Sequence, residues 1–236
     1  MKRIIKISLI LLLVGMAVIA TVPFLKEKRA EKKYENDFKK IQESVTEKKS
    51  DVNGLVKKNK DCIGYVEIPG TTISYPVMQT KDKPDFYLNH DFNRNYSFYG
   101  TPYLSAYCDV EKSDNLIIYG HNINGGKMFG ALEQYKDKEF FYKHRKIYFT
   151  TDKKREYEVF AVMSVNIHEF EYWKFVMARD KEEHDEFIDK VEEHSLWRQG
   201  NKPKYGEQML MLSTCDNGKG DDWRIVVIGK RNMALW

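Results

Sequence analysis

Beyond residue 62 the apolar positions come in short runs separated by glycine, proline, asparagine and aspartate. The runs are Ile63-Gly-Tyr-Val-Glu-Ile, Thr72-Ile-Ser-Tyr-Pro-Val, Asp85-Phe-Tyr-Leu, Gly100-Thr-Pro-Tyr-Leu and Leu116-Ile-Ile-Tyr. They are followed by Ile147-Tyr-Phe-Thr, a long alternating stretch from Arg155 to Val165, Gln208 to Ser213, and Arg224 to Lys230. This spacing predicts strands of a β-barrel or sandwich. Two helical inserts interrupt it. One is short, around Met128 to Tyr135. The other begins near Asp180, where Asp-Lys-Glu-Glu can form a capping box through Glu183, and it carries Phe187, Ile188 and Val191 on one face. That face predicts a helix lying on the strands as a cover.

The first 60 residues follow a different pattern. From Ile7 to Leu25 no charge occurs for 19 residues, a length that at about 1.5 Å per residue approaches the hydrocarbon thickness of a bilayer. The pattern predicts a membrane anchor over residues 1–25. A signal peptide cleaved after Ala20 is the alternative, because Val18 and Ala20 are small residues at the spacing a signal peptidase accepts. Residues 26–59 are rich in Lys, Glu, Asp and Asn, with Tyr34, Phe38, Ile41 and Val45 spaced as one narrow helical stripe. They read as a charged juxtamembrane helix or, alternatively, a solvated stalk. Residues 60–236 remain as the main domain.

Composition narrows the partners. The 236 residues are 42% hydrophobic and 14% aromatic, enough for a real core. A net charge of +4, from 39 basic and 35 acidic side chains, leaves no broad basic field, so no nucleic-acid partner is expected. Basic residues flank the apolar N-terminal run on both sides, so the positive-inside count does not choose an orientation.

The candidate chemistry lies in one thiol. If the bulk of the chain is exported, three cysteines cannot all pair within it. Cys62 and Cys108 read as small buried residues. Cys215 ends an apolar run at Leu-Ser-Thr-Cys and opens a loop with Gly218 and Gly220, and Arg224 follows nine positions on, at the start of the next run. Two antiparallel strands joined by that loop would bring Cys215 and Arg224 to the same end, where a guanidinium can stabilise a thiolate or an oxyanion. A capping role for Arg224 against Asp221 or Asp222 is equally compatible with the spacing.

Among six histidines, His121 alone follows a buried-looking strand and enters a glycine-flanked loop; the others read as solvated surface residues. Pattern does not pair it with Cys215, and a structural role stays open. Asn122, Asp216 and Asn217 each lie near one of the two, and spacing selects none of them as a third group orienting the imidazole. His184 and His194, ten positions apart on the predicted helix, do not make a zinc motif. No metal and no cofactor is expected. A phosphate-binding glycine loop and a serine nucleophile elbow are absent from the sequence.

Taken together, Tyr119-Gly120-His121-Asn122, Leu212-Ser213-Thr214-Cys215 and the Arg224-Ile-Val-Val run, in this order, resemble the signature set of sortases, the membrane-anchored cysteine transpeptidases of Gram-positive bacteria. Tyr75-Pro-Val-Met-Gln, Phe86-Tyr-Leu-Asn, Lys127-Met-Phe-Gly-Ala-Leu and the helix inserted before the Cys215 strand are similar to class B members. The resemblance spans roughly residues 60 to 231. It implies an eight-stranded sortase β-barrel with peripheral helices, with Cys215 as nucleophile, His121 as general acid and base, and Arg224 as the oxyanion partner.

It further implies a groove lined by Leu88, Tyr172, Trp173, Ser213 and Thr214. The expected substrate is the C-terminal sorting motif of an exported protein, of Leu-Pro-X-Thr-Gly or Asn-Pro-X-Thr-Asn type, and the acceptor a peptidoglycan amine. The expected location is the cell membrane, single-pass, with the catalytic domain on the extracellular face. A pilin-type polymerase, a protease, or a non-catalytic membrane-tethered barrel are the competing readings.

Overall fold

Short runs of β-branched and aromatic residues pair here because neighbouring runs close a ring. The protein's structure, a computed structural model, describes residues 2–47 and 52–232. Strands β1 (Cys62–Glu67), β2 (Ser74–Met78), β3 (Tyr103–Leu104) and β4 (Asn115–Tyr119) lead to a small ribbon of β5 (Asn122–Ile123) and β6 (Lys127–Met128). They are followed by β7 (Lys146–Thr150), β8 (Lys154–Asn166), β9 (Ser195–Arg198), β10 (Met209–Cys215) and β11 (Trp223–Arg231). Eight of them close a barrel in the order β1-β2-β3-β4-β10-β11-β8-β7, with β7 pairing back onto β1. The fold is mainly β with peripheral helices, as the resemblance implied. β9 extends from β8 outside the ring.

Burial follows position in the barrel. On β7 buried residues alternate with exposed or half-buried ones, so one face is covered. β4, β10 and the middle of β11 are buried on both faces, which is why Leu116-Ile-Ile, Met209 to Thr214 and Ile225 to Gly229 read as continuous apolar runs. Two strand pairs are parallel, β2 with β3 and β4 with β10; the other barrel pairs are antiparallel.

Three local expectations change. Phe86–Leu88 is a 3₁₀ turn, with buried Tyr87 donating its hydroxyl to Asp61 Oδ2 at 2.7 Å; three apolar residues carry too little periodicity to separate turn from strand. β9 escaped the pattern because its residues are half-buried or exposed, with only Leu196 and Trp197 apolar. His184, read as a surface residue, is fully buried beside the rings of Phe175 and Tyr205. It lies at the i, i+3, i+4, i+7 spacing of Phe187, Ile188 and Val191, and so on the apolar face.

Among the described residues, the chain forms two compact units, residues 1–43 and 44–236. Most of helix α1 (Lys2–Glu47) lies in the first; it runs without a break at Leu25, and the rings of Tyr34 and Phe38 meet one turn apart at 4.7 Å. The side chain of Val45, the last of the predicted stripe, lies outside the described residues. The expected single-pass anchor over residues 1–25, and with it a location at the cell membrane with the domain on the extracellular face, is not upheld. Among the described residues no helix is long and apolar enough to cross a membrane. The 19-residue stretch lacks charge, but Ser8, Gly15, Thr21 and Pro23 interrupt its apolar positions, and absence of charge is a weaker requirement than a sustained apolar window.

In the second unit, the short helix α2 (Val52–Lys58) precedes β1. The first insert is a run of 3₁₀ turns over Gly130–Lys136 that buries Ala131, Leu132 and Tyr135, followed by α3 (Lys138–Lys143). Asp137 starts α3 by accepting from Phe140 N at 2.8 Å. The second insert, α4 (Lys181–Glu193), packs its apolar face over β8 and β9. Asp180 caps it by accepting from Glu183 N at 2.9 Å, whereas the Glu183 carboxylate reaches past the cap to Arg179 N at 2.6 Å.

Candidate active site

Register brings the three chemically competent residues together. β10 and β11 are antiparallel, and their last pair sets Cys215 directly opposite Arg224, so both side chains leave the ladder on one face. β4 and β10 are parallel, with Tyr119 opposite Ser213. Their C-terminal ends therefore lie side by side, and the residues that follow, Gly120-His121 and Thr214-Cys215, emerge at the same end of the barrel. The join is stitched by Gly120 N donating to Ser213 O at 3.1 Å and Thr214 Oγ1 donating to Gly120 O at 2.7 Å. Glycine is needed at 120: a Cβ there would meet the Phe129 ring at 2.8 Å.

Leu88, His121, Tyr172, Trp173, Ser213, Thr214, Cys215 and Arg224 all line one cleft of about 580 Å3. Its walls add Asp85, Tyr103, Tyr107, Tyr119 and Ile167, which sequence reading did not select. Tyr103 and Tyr119 are a cross-strand pair with rings 5.5 Å apart. Their signal, a tyrosine at the cleft end of adjacent strands, becomes visible only once the pairing is known. Tyr172 is buried, and its hydroxyl shares a 2.7 Å hydrogen bond with Ser213 Oγ. Burial pushes that phenol up to about 12 against the pull of the Ser213 bond, so it is a neutral hydroxyl in the floor of the cleft.

The Arg224 guanidinium is held by main chain: Nη1 donates to Asp221 O at 2.5 Å and Trp223 O at 2.9 Å. The loop carboxylate of Asp222 lies instead 3.6 Å from His168 Nε2. The capping alternative is thus realised only through carbonyls, which orient the fork and leave its charge available to the cleft.

His121 Nε2 lies 2.8 Å from Leu88 O. A carbonyl only accepts, so Nε2 donates and the neutral ring keeps Nδ1 as its acceptor. The group orienting the imidazole is therefore a backbone carbonyl on the Phe86–Leu88 turn. The side chains of Asn122, Asp216 and Asn217 have other bonds: to Glu133 and Cys215 O, to Lys136 and Ser164, and to Asn122 O, respectively. The ring of Phe98 lies nearly parallel to that of His121, with centroids 6.3 Å apart.

Leu88 is itself fixed by Gly100. At φ +60°, a conformation L side chains rarely adopt, Gly100 lies so close that a Cβ would stand 2.4 Å from Leu88 O. Gly100→Ala is expected to cost about 1–3 kcal/mol of stability and to displace the carbonyl that holds His121. Thermal unfolding together with kcat on the folded fraction checks it; a variant with unchanged kcat would show that the carbonyl does not position the ring.

The family model described as Sortase domain matches residues 66–232. This chain belongs to the sortase family. It is 32% identical over 187 residues to sortase B of Listeria monocytogenes, covering 78% of this chain and 75% of that protein. The structure of a Staphylococcus aureus sortase B–substrate complex superposes with a TM-score of 0.73 at 26% identity, over 88% of this chain and 97% of that one. A sortase B complexed with triglycine gives 0.76 at 26% identity, over 86% and 98%. The protein is a class B sortase, a cysteine transpeptidase.

In this sortase the three thiols are sharply different. All are free; Cys62 and Cys108 are buried, whereas Cys215 is half-buried at the cleft. Burial pushes the Cys62 thiol up to about 12 and moves Cys108 in the same direction, above its ordinary value, so neither forms appreciable thiolate near neutral pH. One thiol is expected to react with a disulfide reagent in the native protein at pH 8 and three in denaturant. Two fast native thiols would contradict this assignment.

Proposed function

We propose that this sortase cleaves the C-terminal sorting motif of another protein after its threonine and joins the new carboxyl end to a cell-wall peptidoglycan amine, and that residues 60–236 carry the reaction. Cys215, as thiolate, attacks the threonine carbonyl carbon. A C–S bond forms, and the electron pair of the C=O moves to oxygen, where Arg224 stabilises the charge. His121, as imidazolium, gives its proton to the amide nitrogen, the C–N bond breaks, and the departing amine leaves a thioester on Cys215. The acceptor amine attacks this thioester and gives its proton to His121. Collapse of the second tetrahedral intermediate breaks the C–S bond and restores the thiolate. The net reaction is exchange of one amide for another.

The observation that carries this reading is the pairing of Cys215 with Arg224 across adjacent strands, at the end of the barrel where the parallel β4–β10 pair delivers His121. Leu88, Tyr172, Trp173, Ser213 and Thr214 are assigned to the motif because they surround that corner of the cleft. A substrate complex and a triglycine complex of related sortase B structures support a sorting-type peptide and a peptide amine as the two reactants.

The test is incubation of the full chain with peptides of Leu-Pro-X-Thr-Gly and Asn-Pro-X-Thr-Asn type plus a glycine-terminated amine, read by mass. A transfer product and an acyl adduct on Cys215 are expected. Cleavage at another bond, or transfer with no adduct, would overturn the assignment.

A further inference from the structure

We propose that Asn122, Glu133, Lys136 and Asp216 form a positioning network that sets the alignment of Cys215 with His121. This rests on the roles assigned above to those two residues. None of the four needs to touch substrate; they act through the backbone that carries the reacting groups.

The contacts close a ring. Asn122, the residue after His121, donates through Nδ2 to Cys215 O at 2.7 Å and to Glu133 Oε1 at 2.7 Å. Glu133 Oε2 lies 2.5 Å from Lys136 Nζ, and its Oε1 also accepts from Asn217 N at 3.3 Å. Lys136 Nζ donates to Asp216 Oδ1 at 2.5 Å. Asp216 is covalently next to Cys215, which completes the circuit. Its other oxygen accepts from Ser164 Oγ on β8 at 2.6 Å, and Gly218 N lies 3.2 Å from Oδ1.

The energetics argue against an incidental surface pair. The Asp216 side chain is fully buried. Burial alone would push its carboxyl up, but the bonds from Lys136 and Ser164, the Lys136 charge and Gly218 N–H outweigh it and hold the group below its ordinary value. Lys136 is correspondingly raised: burial opposes its charge, and the bonds and charges of Asp216 and Glu133 outweigh that. A carboxyl depressed in the folded state stabilises it above the unfolded carboxylate range, and that contribution disappears as pH falls through the folded value. The Lys136–Asp216 pair is therefore charged at neutral pH. An ion pair with one fully buried partner, Asp216, is an expensive way to fix a loop, and specific geometry is the best-attested return on it. Here the geometry fixed is that of a nucleophile and its proton donor, where about 1 Å of misplacement can cost about a hundredfold in rate.

The experiment uses the full chain with Asn122→Ala, Lys136→Met, Lys136→Arg, and the pair Lys136→Met with Asp216→Asn, which leaves no uncompensated buried charge if Lys136→Met alone unfolds. Measured are kcat and KM for transfer of a sorting peptide to a glycine amine, the pH dependence of Cys215 alkylation by iodoacetamide, and the thermal midpoint. Asn122→Ala and the paired variant are expected to lose about 10- to 100-fold in kcat with KM within about twofold, and to shift the pH profile of alkylation. Lys136→Arg is expected to recover part of the rate. Combining Asn122→Ala with the pair should add little, since both cut one ring.

Folded variants with the wild-type kcat and alkylation profile, or losses that track only the unfolded fraction, overturn the network while leaving the catalytic reading standing. A Cys215→Ala protein that still transfers peptide overturns the catalytic reading instead.

Discussion

Cys215→Ala eliminates cleavage and transfer together, with at least about a thousandfold loss in kcat, while the fold is retained. The expectation follows from chemistry and packing. The substitution removes the sulfur that would carry the acyl group, and neither buried thiol can replace it: Cys62 lies in β1 and Cys108 in the segment leading to β4, and neither side chain lines the cleft. The side chain at 215 is only half-buried, so little packing is lost. Mass spectrometry of the peptide products, with circular dichroism as the control for folding, checks it. Residual transfer above about 0.1 per cent of the wild-type rate would require another nucleophile.

Arg224→Lys loses about a hundred- to a thousandfold in kcat, with a smaller change in KM. The guanidinium uses Nη1 to hold the carbonyls of Asp221 and Trp223, and Arg224 stands opposite Cys215, which leaves the rest of its planar fork for the proposed oxyanion. An ammonium supplies one compact charge on a flexible stem. It can hold the loop carbonyls or approach the oxyanion, but it does not present two fixed edges at once. Because the interaction is strongest with the charge that develops in the transition state, the loss falls on kcat. Steady-state kinetics separates the cases: a rise in KM at constant kcat would show that Arg224 only binds the peptide.

The elements legible in the sequence were those whose signal is local. Runs such as Leu116 to Tyr119 and Arg224 to Lys230 announce strands, because a chain buried on both faces must be apolar throughout. Asp180 announces α4 because its carboxylate satisfies an N–H the helix leaves free. Where the local signal was weak, reading failed. Phe86–Leu88 looked like a strand and is a turn, and His184 looked solvated until the packing of α4 put it inside. The uncharged N-terminal stretch suggested a span by length, a criterion that omits how apolar the window is.

The site shows the same division. Cys215, Arg224 and His121 stood out as residue types at strand ends, and the motifs around them carried the family resemblance. Nothing local indicated that Leu88 would enter the site through its backbone carbonyl. Nor did sequence show that Asp216, one of three candidates for orienting the imidazole, would instead be buried against Lys136, 80 positions away.

By itself, then, the sequence determined most of the barrel strands, the residue types that acyl-transfer chemistry would need and the family they resemble, since these depend on side-chain type and short-range periodicity. The tertiary structure alone decided that a parallel β4–β10 pair sets residues 121 and 215 at one barrel end, which carbonyl meets the imidazole, and that Asp216 is buried against Lys136. Those outcomes are contacts between residues far apart in the chain, and pairing register has no signature in either partner read separately.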